Sequence, residues 1–150
     1  MELNNKYIDT SRRSVGFTGY CGFEFTEISD DFCTVSCSLR PELLNPGGIA
    51  HGGLIAALTD VSASAMAIQI DRRAHPVVTQ SCSIHYLRPA AGDRLAARST
   101  VIRRGKRVCV VQSDCFLDNG VHVATAVYEI AYLENRQNAG SDQETGGTCQ

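Results

Sequence analysis

The sequence is short of most features that would mark an export, membrane or metal protein. Its seven cysteines form no C-x-x-C pair, and its four histidines (His51, His75, His85, His122) show no H-x-x-x-H spacing. A zinc site needs clustered ligands of that kind, so no metal is expected. The N-terminal stretch MELNNKYIDTSRRS lacks the apolar core of a signal peptide. The most apolar run, 54–70, is short, rich in Ala and Ser, and carries Asp60 near its middle, so no bilayer span is expected. Net charge is −2, which gives the chain as a whole no field for nucleic acid or membrane. A cytoplasmic protein is expected. Cys21, Cys33, Cys37, Cys82, Cys109, Cys115 and Cys149 then read as buried free thiols, since Cys packs as a small hydrophobe.

A chain of 150 residues, 43% apolar and 20% charged, has room for one core. Residues 1–20 are mixed and polar. CGFEFTEISDDFCTVSCSLR follows as a hairpin, with SDD at its turn and Cys33, Val35, Cys37 and Leu39 alternating on one face. PELLNPGGIA is a loop, and a helix is expected over about 51–70. Four strand-like runs come next: VVTQSCSIHYLRP, RLAARSTVIRR, RVCVVQSDCFLD and VHVATAVYEIAYL. The first should place Gln80, Cys82, Ile84 and Tyr86 on one face, and Asn119-Gly120 should close a hairpin between the last two. Residues 21–134 thus form the domain, and the polar, Gly-rich 135–150 is expected to be a disordered tail. Two strands, one long helix and four strands make an α+β fold, a helix on one face of an antiparallel sheet.

Within the helix, Leu54, Leu58, Val61, Ala65 and Ile68 form a stripe that should pack on the sheet. Asp60 projects among Ala56, Ala57, Ala63, Ser64 and Ala67. It is the only charge between His51 and Asp71. A solvent-facing stripe would carry several charges, and a partly buried carboxylate costs energy unless it is paired or used. The alternative is an edge carboxylate that simply pairs with an Arg. At the start of the helix, His51 precedes Gly52-Gly53. A helix start offers unpaired N–H groups, and glycine lets a ligand approach them closely. Such donors can hold an oxyanion. His51 and Asp60 are nine steps apart, about 900° of helix with a rise of roughly 13 Å. If the helix includes His51, the two side chains are half a turn out of phase, and one reaction could use both only across two subunits.

Asn45, HGG six residues on and an acidic residue nine after the His, together with SIHYLRPAAGDRLAARSTVIRRGKRVCVVQSDCF, resemble the hotdog-fold acyl-CoA thioesterases of the PaaI-like (phenylacetic acid degradation) type. The resemblance spans roughly 20–134. It implies the hotdog fold, a long central helix wrapped by an antiparallel sheet, in a homodimer or a dimer of dimers. It implies hydrolysis of an acyl-CoA to acid and CoA, with CoA part of the substrate and no separate cofactor. By position Asp60 is the catalytic carboxylate, as general base or as nucleophile. The N–H of Gly52 polarises the thioester carbonyl, Asn45 and His51 orient the substrate from the opposite subunit, and Thr79 helps hold the water.

RRGKR at 103–107 sets four positive charges around one glycine, and Arg88 and Arg94 lie in the same half. Either this is a solvated hairpin tip, or Arg88, Arg103, Arg104, Gly105 and Lys106 clamp the phosphates of CoA. The run is too short for nucleic-acid binding. Rival readings are a hotdog hydratase or dehydratase, whose His and acid spacing differs, a non-catalytic acyl-CoA-binding protein, which has no need of Asp60, and a dimeric domain with no ligand.

Overall fold

In the computed structural model, residues 16–134 are described. A short helix α1 (Gly16–Cys21) leads into β1 (Phe23–Ile28) and β2 (Cys33–Ser38). A 3-10 turn (Pro41–Leu43) and a loop carry the chain to α2 (Gly52–Ile70), after which come β3 (Val77–Tyr86), β4 (Arg94–Arg104), β5 (Val108–Leu117) and β6 (His122–Tyr132). The six strands form one sheet in the order β1-β2-β4-β5-β6-β3, every pair antiparallel. The sheet curls around α2, and this is the hotdog fold. The expected tail at 135–150 and the first fifteen residues lie outside the described residues.

Turn chemistry sets the hairpins. Between β1 and β2, Ser29 Oγ accepts from the N–H groups of Asp31 and Phe32. Between β5 and β6, Gly120 takes φ +84°, a left-handed conformation that glycine adopts without strain. The β4–β5 turn depends on Gly105 for a different reason, which is space. A Cβ there would sit 2.3 Å from the carbonyl oxygen of Val108, and Gly105 N–H donates to that same oxygen at 3.0 Å. Gly105→Ala should therefore cost about 2 kcal/mol, read as a lower denaturation midpoint with an unchanged slope.

β5 alternates cleanly, burying Cys109, Val111, Ser113, Cys115 and Leu117 against the helix side. The core joins these to Leu58, Met66, Leu95, Val123 and Ile130. Several polar groups inside are paired, although Ser113 Oγ is buried with no hydrogen-bond partner among the described residues. Thr59 Oγ1 lies 2.8 Å from Tyr128 Oη, which also donates to the carbonyl of Ala56. Ser62 Oγ reaches the carbonyls of Cys33 and Ala97 and accepts from Ser99 at 2.8 Å. These bonds fix the roll of α2 against β2, β4 and β6.

That roll departs from the expected stripe. Leu54, Leu58, Ala65 and Ile68 are buried, but Val61 is only half-buried, and Ala63 and Ala67 are buried at 0% exposure. The true outward arc is Gly52, Gly53, Ala56, Ala57, Asp60, Val61 and Ser64, with Asp60 near its centre at about 100° per residue. Apolar side chains run nearly all round the helix because the curled sheet covers most of it. For the same reason α2 is, by length and composition, long and apolar enough to cross a membrane, contrary to expectation; here it is the core helix, mostly buried by the sheet.

Cys21, Cys33, Cys37, Cys109 and Cys115 are buried free thiols, as read from the sequence. Burial pushes Cys33 and Cys115 up to about 12 and Cys37 to about 11, so none of these three is a nucleophile at neutral pH. Cys82 is the exception, exposed on β3, and Cys149 lies outside the described residues.

Candidate active site

The loop before α2 is organised by Asn45. Its Oδ1 accepts from the N–H of Gly47 at 2.8 Å and of Ile49 at 3.4 Å, an Asx turn. Ala50 N–H donates to Ala90 C=O and His51 N–H to Leu43 C=O, which pins the loop beside the YLRP segment. Asn45 Nδ2 has no partner among the described residues. His51 is the N-cap rather than a helical residue: its backbone is extended (φ −63°, ψ 137°), and its Nδ1 accepts from Gly53 N–H at 2.9 Å.

The cap accounts for the donors of the first turn one by one. Gly53 N–H goes to His51 Nδ1, and the N–H groups of Leu54 and Ile55 both go to His51 C=O. Only the N–H of Gly52 is left without a partner among the described residues. Gly52 lines a cavity of about 310 Å³ together with Asn45, Tyr86, Arg88, Ile49 and Ile55. Tyr86 closes over it, its Oη donating to Gly52 C=O at 3.0 Å. Arg88 is held by a hydrogen bond to His122 C=O.

Asp60 lies further along the same outward arc, half-buried, with its Oδ1 accepting from Thr79 Oγ1 at 2.6 Å. A bulge in β3 makes this contact. The register against β6 slips between Thr79 and Ser81, so Thr79 pairs with Ile130 and Cys82 with Tyr128. Ile130 and Tyr128 are both buried on the helix side, so Thr79 faces the helix along with Cys82, Ile84 and Tyr86. The expected alternation gave that place to Gln80, which the bulge removes from the ladder. Bulges commonly re-aim a side chain in this way beside a working site.

The structure brings Asn45, His51, Gly52 and Arg88 together, and separately Asp60 and Thr79. It does not join the two groups. Because His51 caps the helix, the half-turn phase argument loses its premise. The axial separation remains, since Gly52 and Asp60 are eight residues apart on one face, about 12 Å along the axis. A carbonyl held at Gly52 N–H is out of reach of Asp60 in the same chain.

The basic hairpin lies past the other end of α2, about 27 Å from Gly52 along the axis. Arg88 and Arg103–Lys106 therefore do not form one clamp within a chain. Arg104 caps the helix C-terminus through Ile70 C=O, and Arg94 is committed to Glu24, Ser36 and Ser38. A cavity of about 430 Å³ is lined instead by Arg72, Arg73, Arg104, Gly105, Lys106 and Tyr132, with Asp71 at its floor. Arg103 is exposed and does not line it. Burial alone would raise the Asp71 carboxyl. Donors from His75 and Arg73, main chain and side chain alike, hold it below the usual carboxylate range instead. Among the described residues no group of three His, Cys, Asp or Glu could hold a metal ion.

Sequence reasoning missed Tyr86, Arg72 and Arg73 as site residues. Tyr86 stands in the YLRP run that carries the resemblance, and Arg72 and Arg73 fall between the expected helix and the first of the four strand-like runs, in neither element.

The family model described as the thioesterase superfamily matches residues 47–124, which holds HGG, Asp60, Thr79 and the YLRP segment. The chain belongs to the thioesterase superfamily. Among superfamily members, it is 26% identical over 133 residues to the acyl-coenzyme A thioesterase PaaI of Escherichia coli, covering 85% of this chain and 81% of that protein. It is 23% identical over 125 residues to the medium/long-chain acyl-CoA thioesterase YigI of the same species, covering 73% and 81%. The solved E. coli PaaI structure superposes with a TM-score of 0.77 at 21% identity, covering 85% of this chain and 91% of that one.

Proposed function

We propose that this protein hydrolyses an acyl- or aryl-CoA thioester to the free acid and CoA, as a homodimer whose two sites each draw on both chains. The observation that carries this reading is the pairing of a lone carboxylate with a lone open donor. Asp60 is the only charge on the outward face of α2, and Gly52 N–H is the only donor of the first turn without a partner among the described residues. Their separation assigns them to different sites unless a second chain brings them together. The edge strand β3 offers the surface for that chain. Among the described residues it pairs only with β6, eight of its ten residues are exposed, and Val78 and Tyr86, with Leu87 just beyond the strand, present apolar surface at 45–52% exposure.

In the proposed reaction the thioester carbonyl oxygen accepts from Gly52 N–H, where the helix start stabilises the developing oxyanion. Asn45 and His51 orient the acyl end. Thr79 occupies Oδ1 of Asp60, which leaves Oδ2 to take a proton from water or to attack the carbonyl carbon directly. In the first case the water oxygen bonds to the carbonyl carbon as Asp60 takes the proton; in the second the acyl group passes to Asp60 as an anhydride, which water then hydrolyses to the acid and free Asp60. In either case the C–S bond breaks, and the CoA thiolate leaves and takes up the proton released by the water. CoA enters only as part of the substrate.

The test is thiol release from a panel of phenylacetyl-, benzoyl-, hexanoyl- and lauroyl-CoA, with a no-substrate blank because Cys82 is exposed. Release from at least one ester supports the reading. CoA binding with no release from any ester would turn it toward a hydratase or an acyl-CoA-binding protein.

The phosphates of CoA are assigned to the basic cavity past the helix C-terminus, where Arg72 and Lys106 are cations with no helix-capping task. Arg72→Ala with Lys106→Ala should raise KM for CoA esters about tenfold and leave a pantetheine thioester unchanged. Equal effects on both substrates would remove the phosphates from this cavity. Arg104 is a poor probe because its loss also uncaps α2.

A further inference from the structure

The first turn of α2 contains a hydrogen-bonded chain that the proposed hydrolysis does not by itself require. Tyr86 Oη donates to Gly52 C=O at 3.0 Å. The N–H of that same peptide unit belongs to Gly53 and donates to His51 Nδ1 at 2.9 Å. The phenol ring lies against the turn, since a Cβ on Gly52 would meet its Cε1 and Cζ at 3.6 Å. A donor at the carbonyl and an acceptor at the N–H polarise one amide in the same direction, so each bond strengthens the other.

We infer that Tyr86 is a positioning residue that acts through the Gly52–Gly53 peptide to hold His51 in a single tautomer, with Nε2–H as its outward donor. A neutral imidazole whose Nδ1 accepts a hydrogen bond carries its proton on Nε2. His51 is exposed, so that Nε2–H is free to donate beside the open N–H of Gly52. Resting on the proposed hydrolysis, the two donors converge on the thioester, and Tyr86 keeps the second aimed without touching the substrate's reacting atoms. The phenol hydroxyl is what distinguishes this role from packing, because a phenylalanine would cover Gly52 equally well.

The experiment compares the full-length protein with Tyr86→Phe by imidazole ¹⁵N–¹H spectra, with His51→Gln used for assignment. Wild type should show the Nε2–H tautomer alone for His51. Tyr86→Phe should populate the second tautomer and move the Gly53 amide proton upfield. It should also lower kcat about tenfold with KM little changed and the melting temperature unchanged. Identical His51 and Gly53 signals in the two proteins would overturn the inference whatever the activity. Altered spectra with unaltered kcat would overturn the link to turnover. The spectra need no substrate, so they decide the role of Tyr86 even if wild type proves to hydrolyse no thioester.

Discussion

Asp60→Asn is expected to lower thioester turnover by about 10³-fold or more, with fold and assembly intact. Asparagine keeps the carbonyl oxygen that accepts from Thr79, so the 2.6 Å contact has a neutral replacement and the helix loses no packing. What it loses is the charged oxygen able to take water's proton or attack carbon. The proposed sharing of each site between two chains adds a sharper form of the test. Asp60→Asn and His51→Ala homodimers should each be nearly inactive. Mixed after dissociation, they should recover about a quarter of wild-type activity, because heterodimers assemble one undamaged site from the wild-type halves. Substantial activity in Asp60→Asn alone would remove the carboxylate from the chemistry. No recovery on mixing would confine the whole site to one chain.

The fold was largely legible because its signals are periodic. The helix was expected at about 51–70 and found at Gly52–Ile70, and all six strands lie where alternation placed them. The errors share one physical source, the dependence of a side chain's direction on irregularities that a regular pattern does not encode. Alternation assumes an unbroken pleat, so it assigned Gln80 the position that the bulge gives to Thr79. A helical wheel weighted by size turned Val61 inward, whereas the buried hydrogen bonds of Thr59 and Ser62 set a roll that leaves it half-buried; Ala67 shares the angular sector of Asp60 but is covered nearer the C-terminal end of the helix. The site residues near the helix start were legible through residue type, since HGG needs no periodicity to be noticed. The basic cavity was half legible. RRGKR stood out as a charge run, but its partners Arg72 and Arg73 come from a turn 30 residues upstream, and only the fold places them together.

Arg73 depends on Asp71, and removal of that carboxylate should produce the largest loss of stability among the substitutions considered. Its carboxylate is almost fully buried. Oδ2 accepts from His75 N–H at 2.7 Å and His75 Nδ1 at 2.9 Å, and Oδ1 accepts from the Arg73 N–H and Nε, each at 3.3 Å. Arg73 in turn donates to Lys106 C=O, so one carboxylate ties the end of α2, the turn into β3 and the tip of the β4–β5 hairpin. Asp71→Ala leaves four donors without their acceptor and should cost about 3 kcal/mol, a fall in melting temperature of about 10 °C. The sign of the pH dependence follows from the lowered carboxyl. Its contribution is fully present above the unfolded-state value near 3.9 and is lost as pH falls through the lower folded-state value. Wild type should therefore lose its margin over Asp71→Ala as pH falls below about 4. Asp71→Asn should be milder, because one oxygen still accepts. If Asp71→Ala melts with wild type at pH 7, the carboxylate is not the tie that sets this turn, and the placement of Arg72 beside Lys106 must come from the hairpin alone.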